Sequence, residues 1–159
     1  MSLDLTKTSA YVDKTPYESW QETEGVPVHK GLAIDDLTTV PVGPWKRKGV
    51  SGAFVNMLGA GRSCDSYVCE IPPQGQTSAE RYLFEELIYV VKGRGATSVW
   101  TEGGRKQTFE WQQGGMFSPP LNTWRQHFNV QRDEPARFVA LTDAPVMINR
   151  FRNVDFIFN

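Results

Sequence analysis

The feature of this sequence that most constrains its fold is a series of short segments rich in β-branched and aromatic residues, separated by turn residues. They read GAFVNMLG, SYVCEIPP, ELIYVV, ATSVW, KQTFEW, QHFNV and ARFVALTD. Strands of this length, repeating about every dozen residues, favour a β-sandwich or β-barrel over a parallel α/β sheet. The two glycines of TEGGRK, between ATSVW and KQTFEW, predict a β-hairpin. The predicted fold class is therefore all-β.

Composition places the chain among ordinary globular domains. Its 159 residues are enough for one domain with its own core. The net charge of −1 gives no reason to expect nucleic acid or a membrane surface as a partner. We interpret the basic stretch WKRKG, residues 45–49, as a solvated loop. The first residues lack the apolar region of a secretory signal. Cys64 and Cys69 do not have the spacing of a CxxC pair, and we interpret them as reduced thiols of a cytoplasmic protein.

The two ends of the chain differ from its middle. TPYESWQETEG predicts a short helix with Thr15 as its N-cap, Pro16 at its first position and Gly25 at its end. The apolar C-terminal stretch RNVDFIFN indicates a segment that docks on the barrel or across a dimer, or a chain that continues. We predict three parts, which are an N-terminal arm with a short helix and strand (1–45), a barrel (46–147) and a C-terminal extension (148–159).

Two longer stretches, PPQGQTSAERYLFEELIYVVKGRG and GGMFSPPLNTWRQHFN, carry a resemblance to a known family. Their spacing resembles the first and second motifs of the cupins, which are double-stranded β-helix barrels of the jelly-roll type. Glu86 and Gly93 match the first motif, and Gly114, Pro120 and Asn129 match the second. More narrowly, the sequence is similar to gentisate-dioxygenase-like cupins, which often carry two barrels in one chain, and it would correspond to the first barrel.

The resemblance implies a metal site, but the ligand positions are substituted. Cupins hold iron, manganese, nickel or zinc with three histidines and one carboxylate, and this chain has Glu80, Tyr82, Glu86 and Arg125 at those positions. Arginine cannot be a ligand because guanidinium has no free lone pair. Two carboxylates inside a barrel need a cation nearby, and the fork of Arg125 can supply it. We therefore predict a metal-free ligand pocket formed by these four residues and His127, which shares the inward side of its strand with Arg125.

Two catalytic alternatives remain open. Glu80, Glu86 and His127 are a set of ligands suited to iron or manganese, as in a dioxygenase-like enzyme acting on an aromatic or organic acid whose carboxylate binds Arg125. In the second alternative, Glu80 or Glu86 is the general base of a metal-free catalyst, tuned by burial and by Arg125. The residues do not decide whether the chain is an enzyme.

The favoured function is a small-molecule-binding or structural domain that needs no cofactor. Cupins commonly pair through their strands, so the resemblance implies a homodimer. We expect a small-molecule ligand as the other partner, and we interpret His29, in the N-terminal arm, as a surface residue.

Overall fold

The structure is a computed structural model that describes residues 14–60 and 63–158. The helices and strands in this part of the chain are, in order, α1 (Pro16–Glu24), β1 (Val28–Gly31), β2 (Gly43–Trp45), β3 (Val50–Met57), β4 (Asp65–Ile71), β5 (Glu86–Lys92), β6 (Arg94–Trp100), β7 (Gln107–Gln112), β8 (Met116–Phe117), β9 (Trp124–Asn129), β10 (Ala136–Thr142), α2 (Ala144–Phe151) and α3 (Val154–Ile157). Among these residues, the structure has no helix of the length and apolar character needed to cross a membrane.

The predicted helix near the N-terminus is confirmed as α1. The side chain of Thr15 accepts a hydrogen bond from the backbone N–H of Glu18, and the Glu18 carboxylate accepts one from the backbone N–H of Thr15. This capping box satisfies N–H groups that would otherwise lack a partner. Gly25 ends the helix with a φ of +67°, a conformation that glycine adopts without steric cost. The helix buries Tyr17 and Trp20 against the barrel.

Two sheets form the barrel. In the described residues, the larger sheet has the strand order β1-β3-β4-β10-β5-β8, with β2 also paired to β3, and the smaller has the order β7-β6-β9. Of these pairs, only β1–β3 is parallel. Side chains of the two sheets meet inside, where the His127 ring lies 5.1 Å from that of Phe138. The predicted all-β barrel is therefore confirmed.

The seven predicted strand segments are β3, β4, β5, β6, β7, β9 and β10. The hairpin prediction is confirmed as well, because β6 and β7 pair antiparallel from Val99 and Gln107 onward and the N–H of Gly104 donates to the carbonyl of Thr101 (2.9 Å). The strand predicted for the N-terminal arm was given no position, and β8 was not predicted; β1, β2 and β8 span only 4, 3 and 2 residues. Segments this short show no alternation of their own, and their pairing depends on neighbouring strands.

The N-terminal arm lies on the outer face of the larger sheet. Apolar residues of the segment 34–42 pack on that face, next to β3 and β4. The Arg137 guanidinium of β10 donates to the carbonyls of Leu37 (3.1 Å) and Val40 (2.9 Å), while its other nitrogens bind the Glu70 carboxylate. Arg137 thus holds the arm against the barrel wall through the two hydrogen bonds of its Nη1, while Glu70 of β4 binds Nε and Nη2.

The apolar C-terminal stretch folds back on the barrel as α2 and α3. Ile148 and Ile157 are 1% and 0% exposed. The N–H of Leu83 donates to the carbonyl of Ile157 (2.9 Å), and the ring of Phe158 stacks on Trp20 of α1. These contacts close one end of the barrel with helices from both ends of the described chain. The boundaries given above for arm, barrel and extension stay a prediction.

Candidate functional site

The structure brings most of the predicted site residues together inside the barrel. Arg125 and His127 alternate along β9 and point inward, Glu86 begins β5, and Tyr82 lies in the loop before it. All four are at most 3% exposed. Glu80 is bonded to β9 through its backbone, since Glu80 and Arg125 exchange N–H to carbonyl bonds of 2.9 and 2.8 Å.

A buried ion pair occupies the middle of this group. Arg125 Nη1 donates to Glu86 Oε1 at 3.0 Å, and the Tyr67 hydroxyl donates to Glu86 Oε2 at 2.7 Å. The guanidinium also lies over the ring of Tyr82, 4.1 Å from its centre. Burial by itself would raise the pKa of Glu86, but the positive charges of Arg125 and Lys48 outweigh burial and hold that pKa below its ordinary value. Glu86 therefore stays ionised, with both oxygens engaged.

Arg125 also holds a loop of the barrel. Its Nη2 donates to the carbonyls of Pro120 (3.2 Å) and Thr123 (3.1 Å), and its Nε donates to the Thr123 carbonyl at 3.3 Å. The Ser118 hydroxyl donates to the backbone carbonyl of Glu86 (2.8 Å). The guanidinium thus links the interior carboxylate to the loop between β8 and β9.

Glu80 departs from the predicted cluster. Its side chain does not pair with Arg125 but binds the guanidinium of Arg47 and the ammonium of Lys48, the latter at 2.7 Å. Arg47 in turn donates from Nε to Glu24 of α1 at 2.9 Å. The interior acids are therefore divided between two sets of cations, and the prediction that one arginine serves both carboxylates is wrong.

The basic stretch WKRKG provides these cations, so its interpretation as a solvated loop is wrong. Trp45 is 1% exposed and Lys48 is 3% exposed, whereas Lys46 faces solvent. Lys48 Nζ also lies 3.4 Å from the Tyr67 hydroxyl, which connects the Glu80 set to the Glu86 set. The order of charged and turn residues is the same in a turn that enters a barrel and in a turn that faces water. The signal available was the tryptophan directly beside the charges, since a buried tryptophan brings its neighbours inward.

His127 is bonded to the smaller sheet. Its Nδ1 lies 2.8 Å from the Thr97 hydroxyl, which also accepts from Trp111 Nε1 at 2.9 Å. The indole N–H of Trp111 donates to the Thr97 hydroxyl, and the second hydrogen bond of this hydroxyl, to His127 Nδ1, fixes the orientation of the imidazole ring. Burial lowers the pKa of His127 to about 4 and outweighs the effect of Glu86. The ring is therefore neutral at pH 7. His29 lies apart on β1, where its Nε2 contacts the Pro41 carbonyl (2.8 Å).

The donor set does not fit a metal ion. Glu80 is bound by two cations, Glu86 by a guanidinium and a phenol, and the Nδ1 of His127 by a hydroxyl. Nowhere in residues 14–60 and 63–158 do three histidine, cysteine, aspartate or glutamate side chains converge as a ligand group. The guanidinium of Arg125 would also repel a cation placed beside Glu86. The set Glu80, Glu86 and His127 is thus not assembled as ligands.

Side chains fill the interior of the barrel beside Lys48 and Tyr67. A cavity beside Lys48 and Tyr67, under Trp20 of α1, measures about 10 Å³. Roughly 10–15 Å³ is the least that holds a single water molecule. The space next to the predicted ligand pocket, on the side of Lys48 and Tyr67, is therefore tightly packed.

Solved structures, but no family model and no curated protein, match this chain. Oxalate decarboxylase of Lactobacillus farciminis, solved as a formate complex, has a TM-score of 0.57 and 18% identity over 70% of this chain and 35% of its own. The cupin domain of Schizosaccharomyces pombe Cnp3 has a TM-score of 0.57 and 16% identity, over 74% of this chain and 77% of its own. Tomato vicilin has a TM-score of 0.53 and 17% identity, over 59% of this chain and 28% of its own.

These neighbours confirm the predicted cupin fold. This chain spans about a third of the length of the oxalate decarboxylase chain. One neighbour is named for a reaction, while Cnp3 and vicilin are named without one. At these identities the likeness shows the fold alone, so the function has to be argued from the residues of this chain.

We expect Arg125→Met to destabilise the protein by about 3–5 kcal/mol, because it leaves the Glu86 carboxylate buried without its cation. Adding Glu86→Gln should recover at least half of that loss, since the carboxylate left without its cation is then replaced by a neutral amide. Urea unfolding of the two single variants and the double variant measures the coupling. Arg105→Met, at an exposed position in the β6–β7 hairpin, is the matched control and should change stability by less than about 0.5 kcal/mol. A near-neutral Arg125→Met would contradict the ion pair.

His127 should make stability depend on pH. Its pKa is about 4 in the folded protein and about 6.5 when exposed, so below pH 6.5 the unfolded chain takes up a proton that the native state does not. The contribution of neutral His127 to the free energy of unfolding is complete above pH 6.5. It should fall by about 3 kcal/mol as the pH drops towards 4. The measurement is the difference in unfolding free energy between the wild type and His127→Asn across that range. Other titrating groups occur in both proteins and cancel, and a difference that is constant with pH would refute the assignment.

Proposed function

We propose that this chain is a cupin-fold structural or binding domain in which an internal ion-pair network stands where the family resemblance places a metal. The observation that carries this proposal is the Glu86 carboxylate, which matches the carboxylate of the first motif and is bound on both oxygens by Arg125 and Tyr67. The positive charge that a metal would bring is supplied by the polypeptide itself.

The tight packing beside Lys48 and Tyr67 supports a role on the outside of the barrel. Sites for small molecules typically measure about 300–1,000 Å³. The cavity of about 10 Å³ under Trp20 is far below that range. We infer that a ligand or partner binds the outer surface and does not enter the barrel beside Lys48.

The catalytic alternatives have less support. An iron or manganese oxygenase needs free ligand atoms, and the carboxylate oxygens of Glu80 and Glu86 are engaged by other side chains. A general base needs a pKa near the working pH, and the pKa of Glu86 lies below its ordinary value. The narrower resemblance to gentisate-dioxygenase-like cupins stays a prediction about ancestry and does not extend here to a reaction.

We also propose a homodimer and a cytoplasmic setting. Val139, Tyr89 and Met116 pair in one row across β10, β5 and β8, on the outer face of the larger sheet. Tyr89 is 46% exposed and Met116 is 63% exposed, so the row presents apolar surface to solvent. A two-fold contact would cover it with the same row of a second copy. Cys64 and Cys69 are both free thiols, which is typical of a reducing compartment.

We expect the purified protein to contain iron, manganese and zinc only in substoichiometric amounts, and its melting temperature to stay unchanged when these metals are added. A metal that binds only the native state must stabilise it. Elemental analysis and thermal unfolding provide the two measurements. One metal per chain that disappears in Glu86→Gln would overturn the proposal in favour of the oxygenase.

Changing both exposed residues of the row, Tyr89→Gln with Met116→Gln, should convert a dimer into a monomer. Buried amides without partners in the interface would weaken the association. Light scattering after size exclusion gives the mass. Val130→Gln, which changes an apolar residue 52% exposed outside this row, is the control and should leave the mass unchanged. A monomeric wild type, or a dimer that persists in the double variant, would reject this interface.

A further inference from the structure

An open groove of about 500 Å³ lies on the surface near the buried ion pair. It runs between the loop that follows β8, the start of β5 and the end of β10. Its volume falls within the range of about 300–1,000 Å³ typical of small-molecule sites. Nothing described so far for the barrel makes use of it.

The walls of the groove are apolar. Leu87, Leu121 and Leu141 line it and are 44%, 50% and 48% exposed, together with Pro119 and Pro120. Side chains of this kind, side by side and open to solvent, gain free energy when an apolar group covers them. The body of a ligand here would accordingly be apolar.

The charged side chains that line the groove are all acidic. Glu85 and Asp143 line the groove side by side, where the N–H of Glu85 donates to Asp143 Oδ1 at 2.7 Å and so orients that carboxylate. Neither carboxylate pairs with a lysine, arginine or histidine of the described residues, and none of the described residues that line the groove is basic. A ligand with a cationic group would therefore complement the end of the groove formed by Glu85 and Asp143.

The loop wall is held in place from the inside. Arg125 donates to the carbonyls of Pro120 and Thr123, and the Ser118 hydroxyl donates to the Glu86 carbonyl. Because these bonds exist before any ligand arrives, a ligand need not order this wall on binding. The buried arginine thus shapes the groove without lining it.

We propose that this groove binds a small organic amine, with its ammonium group paired to Glu85 and Asp143 and its apolar body on Leu87, Leu121 and Leu141. The cation is an amine and not a metal, since no three metal-ligating side chains of the described chain converge here. This site goes beyond the proposed function, because the network and the dimer can hold whether or not the groove is occupied.

The test is a titration of the protein with benzylamine, followed by the backbone amide NMR signals of Glu85, Leu87, Leu121 and Asp143. We expect saturable shifts at these residues, and at least about tenfold weaker binding of benzyl alcohol, which has the same ring without the charge. Benzoate should not bind. Glu85→Gln with Asp143→Asn should weaken benzylamine binding at least about tenfold, while residue 143 keeps the oxygen that accepts the residue 85 N–H.

The matched control is Glu110→Gln with Asp155→Asn, which removes two exposed acids outside the groove and should change the affinity less than about twofold. The Tyr89→Gln, Met116→Gln variant should bind benzylamine as well as the unchanged chain does, because the groove is complete within one chain. Absence of saturable shifts, shifts elsewhere, equal weakening by the control pair, or loss of binding in the Tyr89 and Met116 variant would each overturn the proposal.

Discussion

The pairing of Glu86 with Arg125 is the interaction on which the rest of the interior depends. An ionised carboxylate inside a barrel is costly unless a cation and hydrogen-bond donors surround it. Here Arg125 and Tyr67 take one oxygen each, and Tyr82 provides a ring face for the guanidinium. A buried pair of this kind adds little net stability, but it makes both partners indispensable to each other.

The charges inside the barrel form a network that balances. Glu24, Glu80 and Glu86 are the acids, and Arg47, Lys48 and Arg125 are the cations. Each of these three acids has at least one cation in direct contact, so their charges are compensated within the protein. The carboxylates of Glu80 and Glu86 are therefore occupied by side chains of the protein itself.

Much of the fold followed from the sequence, because strand alternation, the Gly-Gly hairpin and the capped helix are local patterns. The inward position of Arg125 and His127 also follows from alternation along β9. The ion-pair partners of the buried side chains could not be predicted from the sequence. Lys48 and Glu80 are 32 residues apart, and Arg47 reaches Glu24 across a different element, so their pairing depends on how the turn after β2 enters the barrel. Thr97, which orients His127, lies on a neighbouring strand, and a threonine in a strand carries no mark of that role.

The contact between Arg47 and Glu24 has a consequence for how the protein opens. Glu24 belongs to the N-terminal helix, and Arg47 continues from it to Glu80 inside the barrel. Detaching the helix would leave a guanidinium and a tryptophan uncovered together, since Trp45 also donates to Glu24. The capping helix is therefore tied to the charged interior as well as to the apolar core, and its release would disturb both at once.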